Sequence, residues 1–167
     1  MLGMLNAKIA HQILLIGNIL IMGSNLRNFV QIFVLDVSNN MIKILKQSDV
    51  HNFYTLLHID LRHNLITSLG SNTFLNLIYL QNLTLYGNPV HYILSFAFSG
   101  LRMIKSLYLS KLGITDVGEK AFQGSSLTNL NLSDNYMSEL HKNALSGLKH
   151  LTRSEERRVG KECRSRW

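Results

Sequence analysis

Apolar residues recur along the chain in one pattern that returns at an almost constant interval. The pattern is L-x-x-L-x-L-x-x-N-x-L-x-x-L, and its successive copies are separated by 24, 24, 24 and 23 residues. The five copies begin at Ile32, Leu56, Leu80, Ile104 and Leu127, and a sixth begins at Leu151. Self-similarity at a period of about 20 to 50 residues is typical of repeat proteins, whose units pack only against their neighbours. The sequence therefore predicts a solenoid over residues 32–152.

Within each copy, the x-L-x-L segment alternates apolar and variable positions, as a short strand does when one of its faces is buried. The later leucines, together with a bulky residue at the nineteenth position, return the chain across the core. That position holds Phe74, Phe98, Phe122 and Leu145 in the second to fifth copies. We therefore expect an α/β repeat fold, in which short parallel strands line the concave face of the solenoid.

An asparagine follows the expected strand in four of the five copies, at Asn40, Asn64, Asn88 and Asn135. A buried amide both donates and accepts hydrogen bonds, so we expect a structural ladder of asparagines that satisfies backbone groups where the chain turns. The fourth copy carries Leu112 at this position. Two interpretations stay open for it: a locally different turn, or a kink or binding feature.

Residues 1–31 fit two interpretations. Ile13, Leu15 and Asn18 match the pattern 22 residues ahead of the later copies, which favours a degenerate first repeat. Lys8 before the apolar run 13–22 also fits a signal peptide. That run is shorter than the roughly 20 residues that a membrane span needs.

Residues 153–167 differ from the rest of the chain in composition. This segment, RSEERRVGKECRSRW, has nine charged residues out of fifteen and contains the only cysteine and the only tryptophan. It resembles the translation of a sequencing adapter, so we expect a disordered, artefactual tail that takes no part in the fold. The alternative is an arginine-rich arm that binds nucleic acid or anionic lipid, an interpretation that the interspersed glutamates weaken.

Composition narrows the class of protein further. The chain is 46% apolar and 16% charged, against about 25% charged in typical globular proteins, and it has one cysteine and a net charge of +7. These values exclude a disordered polyelectrolyte, a disulfide scaffold and a cysteine-rich zinc module. The seven histidines are scattered, and glycine-rich phosphate-binding loops do not occur. We therefore expect no enzymatic activity, no metal site and no cofactor.

The 24-residue pattern with its phenylalanine column resembles the leucine-rich-repeat family, in the form found in animal extracellular receptors. Segments 97–101 (AFSGL) and 109–114 (LSKLGI) are similar to leucine-rich-repeat G-protein-coupled receptors of the relaxin and glycoprotein-hormone type, and nearly as similar to Toll-like receptors. The resemblance implies a fragment of a receptor ectodomain on the extracellular face of the plasma membrane. A secreted or cytoplasmic adaptor with no membrane role is the alternative.

The resemblance also bears on the ends of the array. Extracellular members usually carry a cysteine-bearing cap over the first repeat, and residues 1–152 contain no cysteine. We therefore expect a solenoid that is uncapped at both ends, an internal piece of a longer array. It would be attached to a membrane only through parts of the parent protein that this chain lacks.

The side chains between the buried strand leucines are expected to face solvent and to bind the ligand, because the core positions are committed to packing. The candidate ligand-binding residues are Asp36, His58, Asp60, Arg62, His63, Tyr86, Tyr108 and Lys111. Tyrosine and arginine often dominate contacts between proteins, and mixed charge suits a polar protein surface. A nucleic acid would need an unbroken basic stripe. We expect a protein or peptide ligand and no nucleic acid; the alternative is that these residues only keep the sheet soluble.

Two N-glycosylation sequons fall on the same outward positions. They are Asn82-Leu83-Thr84 and Asn131-Leu132-Ser133. Asn82 and Asn131 are therefore candidate glycosylation sites if the parent protein is extracellular. Such triplets also arise by chance in a chain rich in Asn, Leu and Ser.

Overall fold

The computed structural model describes residues 12–14 and 33–155. Its main feature is a column of three-residue parallel strands on the concave face of a solenoid, one strand for each copy of the sequence pattern. The strands are β1 (Gln12–Leu14), β2 (Val34–Asp36), β3 (His58–Asp60), β5 (Asn82–Thr84), β7 (Ser106–Tyr108), β9 (Asn129–Asn131) and β10 (Arg153–Glu155). In β2, β3, β5, β7 and β9 the central residue is buried and its two neighbours are not, as the alternation predicts.

A second column of two-residue parallel strands lies on the return side of the turns. It consists of β4 (Ser68–Leu69), β6 (Tyr92–Ile93) and β8 (Asp116–Val117). The rest of the described return segments are turns and one four-residue helix, α1 (Gln47–Val50). The predicted leucine-rich-repeat solenoid is confirmed, and its helical content is small because each return segment is too short for a longer helix.

The core is one continuous apolar cluster between the two strand columns. The leucines of the concave strands pack against the return segments, and the phenylalanines at the nineteenth position stack along the solenoid axis. The ring centroids of Phe74 and Phe98 are 5.7 Å apart and those of Phe98 and Phe122 are 5.3 Å apart. Phe74, Phe98 and Phe122 are completely buried, so this stack ties consecutive repeats together on the side away from the concave face.

The four asparagines after the strands are buried and form hydrogen bonds between repeats. The Nδ2 of Asn64 donates to Val37 O of the preceding repeat at 2.9 Å and to Leu61 O of its own repeat at 3.0 Å. Its Oδ1 accepts from Ile42 N at 3.1 Å. Asn88 makes the same three kinds of contact one repeat later.

The turn of the fourth copy differs locally from the others, in agreement with the first interpretation of Leu112. Leu112 is buried at the asparagine position, and Gly113 after it has a φ of +86°. The residues that follow the asparagine in the other copies, Met41, Leu65, Pro89 and Tyr136, do not have a positive φ. The oxygen of Asn135 compensates on one side by accepting from the backbone N–H groups of Leu112, Gly113 and Ile114.

The concave column is divided into two sheets. One has the order β1-β2-β3-β5 and the other the order β10-β9-β7, so β5 and β7 are neighbours in the array without being paired. The second column is not divided: β4, β6 and β8 form one sheet. The division therefore affects the concave side alone.

The strands at the two extremes bear on the terminal segments. In β1, Gln12 pairs with Val34 in β2, an offset of 22 residues that agrees with a degenerate first repeat. The rest of segment 1–31, where the signal-peptide alternative applies, lies outside the described residues.

The tail differs from expectation at its first three residues. In β10, Arg153 pairs with Asn129 in β9 in the usual 24-residue register. The edge of β9 offers backbone donors and acceptors that pair with a following strand whatever its side chains are. The segment expected to be disordered therefore starts no earlier than residue 156, and residues 156–167 lie outside the described part.

Candidate functional site

The candidate ligand-binding residues lie on the concave strands or in the turns directly after them. Tyr86 and Tyr108 are the large side chains of this group, and 56% and 66% of their surfaces are exposed. Asp36, His58 and Asp60 are half-buried on β2 and β3, whereas Arg62, His63 and Lys111 are exposed. Tyr108 and Lys111 belong to the second concave sheet and the other six residues to the first.

Asp60 and Arg62 form an ion pair within one repeat. The Nε of Arg62 donates to both carboxylate oxygens of Asp60, at 3.0 and 2.8 Å, and Nη2 approaches Oδ2 at 2.6 Å. The hydrogen bonds to Asp60, followed by the attraction of its charge, raise the pKa of the Arg62 guanidinium. The two charges largely neutralise each other, so the mixed-charge patch at Asp36, Asp60 and Arg62 is less strongly charged than its composition indicates.

Three outward side chains have a structural role at the ends of their strands. Asp36 Oδ1 accepts from Ser38 N at 2.9 Å, and Asp60 Oδ1 accepts from Arg62 N at 3.0 Å. Asn131 Oδ1 makes the same contact with Ser133 N at 2.9 Å. In each case the side chain bonds the backbone two residues on, which is an Asx turn. The recurrence of Asp or Asn at this position in three copies was the available sequence signal for this role.

A column of residues in the left-handed conformation ends the concave strands. Each member immediately precedes the asparagine position, and the members are Asn39, His63, Gly87, Lys111 and Asp134, with φ between 52° and 74°. A Cβ atom added to Gly87 would lie 2.4 Å from the Nδ1 atom of His63, so glycine at this position leaves room for the imidazole. The His63 ring meets the Tyr86 ring edge to face, with 5.5 Å between centroids.

The two sequon asparagines differ in their surroundings. Asn82 is exposed, and its Nδ2 lies 2.8 Å from the Nδ1 of His58 on the neighbouring strand. Asn131 is half-buried, and its oxygen is engaged in the Asx turn with Ser133. Both amide nitrogens remain on the concave side of the solenoid.

Two further features of the described residues concern chemistry and membranes. Within segments 12–14 and 33–155, no three His, Cys, Asp or Glu side chains are grouped so that they could hold a metal ion. No helix in the same segments has the length and apolar character needed to cross a bilayer.

Comparison with known proteins places this geometry in a family. The family described as "BspA type Leucine rich repeat region" matches residues 43–156 in six copies, which is more than half of the chain. No curated protein sequence matches the chain significantly.

Two solved structures share the fold. One is the crystal structure of the TLR13–ssRNA13 complex, a Toll-like receptor, at 26% identity over 75% of this chain with a TM-score of 0.68. The other is the Drosophila Toll–Spatzle complex, at 21% identity over 77% of this chain with a TM-score of 0.57, which shows the fold alone. The chain spans only 18% and 17% of the lengths of those two proteins.

The chain is thus a leucine-rich-repeat module similar to part of a Toll-like receptor ectodomain. The repeat pattern, the parallel strands and the buried asparagines are the features that the family match and the structural similarity have in common. This chain belongs to the BspA-type leucine-rich-repeat family.

Proposed function

We propose that this chain is part of the extracellular ligand-binding region of a Toll-like signalling receptor, and that its concave face binds a protein ligand. The similarity to the TLR13–ssRNA13 complex, at 26% identity and a TM-score of 0.68, carries the proposal. Both solved relatives are Toll proteins in complex with another molecule. Neither is a G-protein-coupled receptor, so the comparisons favour the Toll-like alternative over that one.

The charge of the concave face favours protein over nucleic acid as the ligand. Although the chain has a net charge of +7, three acids and two bases occupy the outward positions of the strands and turns from 34 to 134. The acids are Asp36, Asp60 and Asp134, and the bases are Arg62 and Lys111. A nucleic acid is held mainly by cations along its phosphates, and this face offers no basic stripe.

Tyr86 and Tyr108 are the proposed anchors for the ligand. They combine large exposed surfaces with a hydroxyl group, the combination that is enriched among residues dominating protein interfaces. The charged residues at Asp36, Asp60, Arg62 and Lys111 lie around them and steer association more than they hold the complex. His58 and His63 contribute polar surface between these groups.

Glycosylation at Asn82 and Asn131 belongs to the same proposal, because it requires passage through the secretory pathway. Asn82 is the better placed of the two, since its side chain is exposed at the start of β5. Treating the parent protein from animal cells with a glycosidase should lower its mass. An unchanged mass would contradict the extracellular location.

Photocrosslinking tests both the ligand class and its position. A photoreactive phenylalanine replaces Tyr86 or Tyr108 in the parent receptor, and the matched control replaces Tyr92, which is 53% exposed on β6 in the other strand column. The receptor is then irradiated in extracellular fluid of the source organism. We expect adducts at positions 86 and 108 that protease digests and ribonuclease does not, and none at 92. Ribonuclease-sensitive adducts, adducts only at 92, or no adducts would refute the proposal.

A further inference from the structure

The concave face changes at one place, the junction between the third and fourth copies, which we call the 3/4 junction (residues 82–90 and 106–112). At the preceding junction, Leu61 N donates to Thr84 O and His63 N donates to Tyr86 O, both at 2.9 Å. The equivalent donors at the 3/4 junction are the N–H groups of Leu85 and Gly87. In the part of the chain that the structure describes, neither donates to a backbone acceptor of the fourth copy.

The next junction shows that the interruption is local. There, Leu109 N donates to Asn131 O at 2.8 Å and Lys111 N donates to Ser133 O at 3.2 Å. The strand hydrogen bonds are therefore present before and after the 3/4 junction and missing only across it. This is the division between the two concave sheets.

The asparagine ladder is interrupted at the same place. Ile66 N donates to Asn88 Oδ1 at 3.1 Å, and Ile114 N donates to Asn135 Oδ1 at the same distance. Val90 N is the equivalent donor at the 3/4 junction, and the residue that would accept from it is Leu112, which has no side-chain oxygen. The junction thus lacks both the strand bonds and the amide bonds that join other repeats.

The opposite side of the same junction is closed. β6 pairs with β8 in register, Tyr92 with Asp116 and Ile93 with Val117. Thr115 N donates to His91 O at 2.9 Å. The rings of Phe98 and Phe122 are stacked across this junction, as they are between the neighbouring repeats.

We propose that the 3/4 junction is a hinge built into the solenoid. The two strand columns differ there: the second is held by directional hydrogen bonds and stacked rings, and the concave one by the packing of Leu112, which is 3% exposed. Apolar packing is non-directional and tolerates small rotations that a hydrogen-bond ladder resists. The concave strands β5 and β7 can therefore separate while β6 and β8 stay paired.

The hinge would regulate the proposed binding site, because Tyr86 and Tyr108 lie on opposite sides of it. Opening or closing changes the distance between the two proposed anchors, so a ligand that contacts both would favour one hinge angle. This second step rests on the proposed function, whereas the hinge itself does not.

Hydrogen exchange of the full 167-residue chain, without ligand, tests the hinge. The amides of Leu85, Gly87 and Val90 are expected to exchange about tenfold or more faster than those of Leu61, His63 and Ile66, their equivalents one repeat earlier. Each pair occupies the same position in its repeat, so the comparison is internally matched. Equal exchange rates in the two sets would overturn the proposal.

A substitution tests the role of Leu112. Leu112→Asn restores a side chain that can accept from Val90 N, and we expect exchange at Val90 to slow to about the rate at Ile66. Leu112→Ala is the control, because it removes the packing without adding an amide and should leave exchange fast. Slow exchange in the parent chain, or a folded Leu112→Asn variant with unchanged exchange at Val90, would contradict the hinge. These experiments use no ligand, so their failure is distinguishable from failure of the crosslinking experiment.

Discussion

Replacing Asn64 with alanine removes one member of the asparagine ladder and tests whether the ladder stabilises the fold. The Asn64 side chain is only 3% exposed, and its amide bonds groups in two consecutive repeats. The carbonyls that it contacts have second donors: Val37 O also accepts from Asn40, and Leu61 O also accepts from Asn88. The Ile42 N–H has no other acceptor among the described residues.

The expected loss follows from that one group. A buried N–H left without a partner costs about 1–3 kcal/mol, whereas the two carbonyls keep one hydrogen bond each and add little. Asn64→Ala should therefore lower the free energy of unfolding by about 1–3 kcal/mol. Asn64→Asp should be at least as harmful, because a carboxylate of the same shape has no N–H to donate and would face two carbonyl oxygens with a buried charge.

Urea denaturation of the two variants and the parent chain measures these differences. The control is Asn76→Ala, an asparagine in a return turn for whose side chain the described structure shows no hydrogen bond. Surface changes of that kind usually lie within about 0.5 kcal/mol of the parent. If Asn64→Ala and Asn76→Ala unfold at the same denaturant concentration with the same slope, the ladder does not stabilise the fold in the way argued above.

Three further substitutions have expected outcomes that denaturation also measures. Gly100→Ala should be more destabilising than Gly124→Ala, because both glycines have a positive φ, which costs about 1 kcal/mol for alanine, but only at Gly100 would the added Cβ lie 2.6 Å from a backbone oxygen, that of Leu75. Equal losses would show that the turn at Gly100 relaxes. Asp60→Ala should cost about 1 kcal/mol and Asp60→Asn much less, since asparagine keeps the acceptor for Arg62 N; similar losses would contradict the Asx-turn role. Phe98→Ala, at the centre of the ring stack, should cost about 3–5 kcal/mol, and a loss below about 1 kcal/mol would mean that the stack contributes little.

The solenoid and its buried positions could be predicted from the sequence because one local rule fixes them. A strand of three residues has one inward side chain, and the pattern places Leu35, Ile59, Leu83, Leu107 and Leu130 there in consecutive copies. The 24-residue interval then repeats the same packing problem, and neighbouring copies solve it in the same way. The stacked phenylalanines follow from the same regularity.

The division of the concave column could not be predicted, because it depends on the relation between two repeats. The apolar pattern of the third and fourth copies is intact, and only Leu112 departs from it. Whether β5 and β7 exchange hydrogen bonds is set by small shifts of whole strands, which no residue type specifies. The left-handed turn residues were similarly hidden, since Asn39, His63 and Lys111 share a backbone conformation and little else.

The roles of the outward residues separate along the same line as the two structural interruptions. In the first, second and fifth copies, the outward position at the strand end holds Asp36, Asp60 or Asn131, and each is engaged in an Asx turn with its own backbone. The third and fourth copies have Thr84 and Tyr108 there, which form no such turn in the described structure.

A side chain that caps its own strand loses that hydrogen bond if it turns to a ligand, so its contribution to binding is partly cancelled. Tyr86 and Tyr108 have no such backbone contact to give up, and they lie on the two sides of the junction that lacks the asparagine ladder. The part of the concave face that contributes least to the stability of the fold is therefore the part where a bound protein would gain most from contact, and this argument places the centre of the proposed site at the third and fourth repeats.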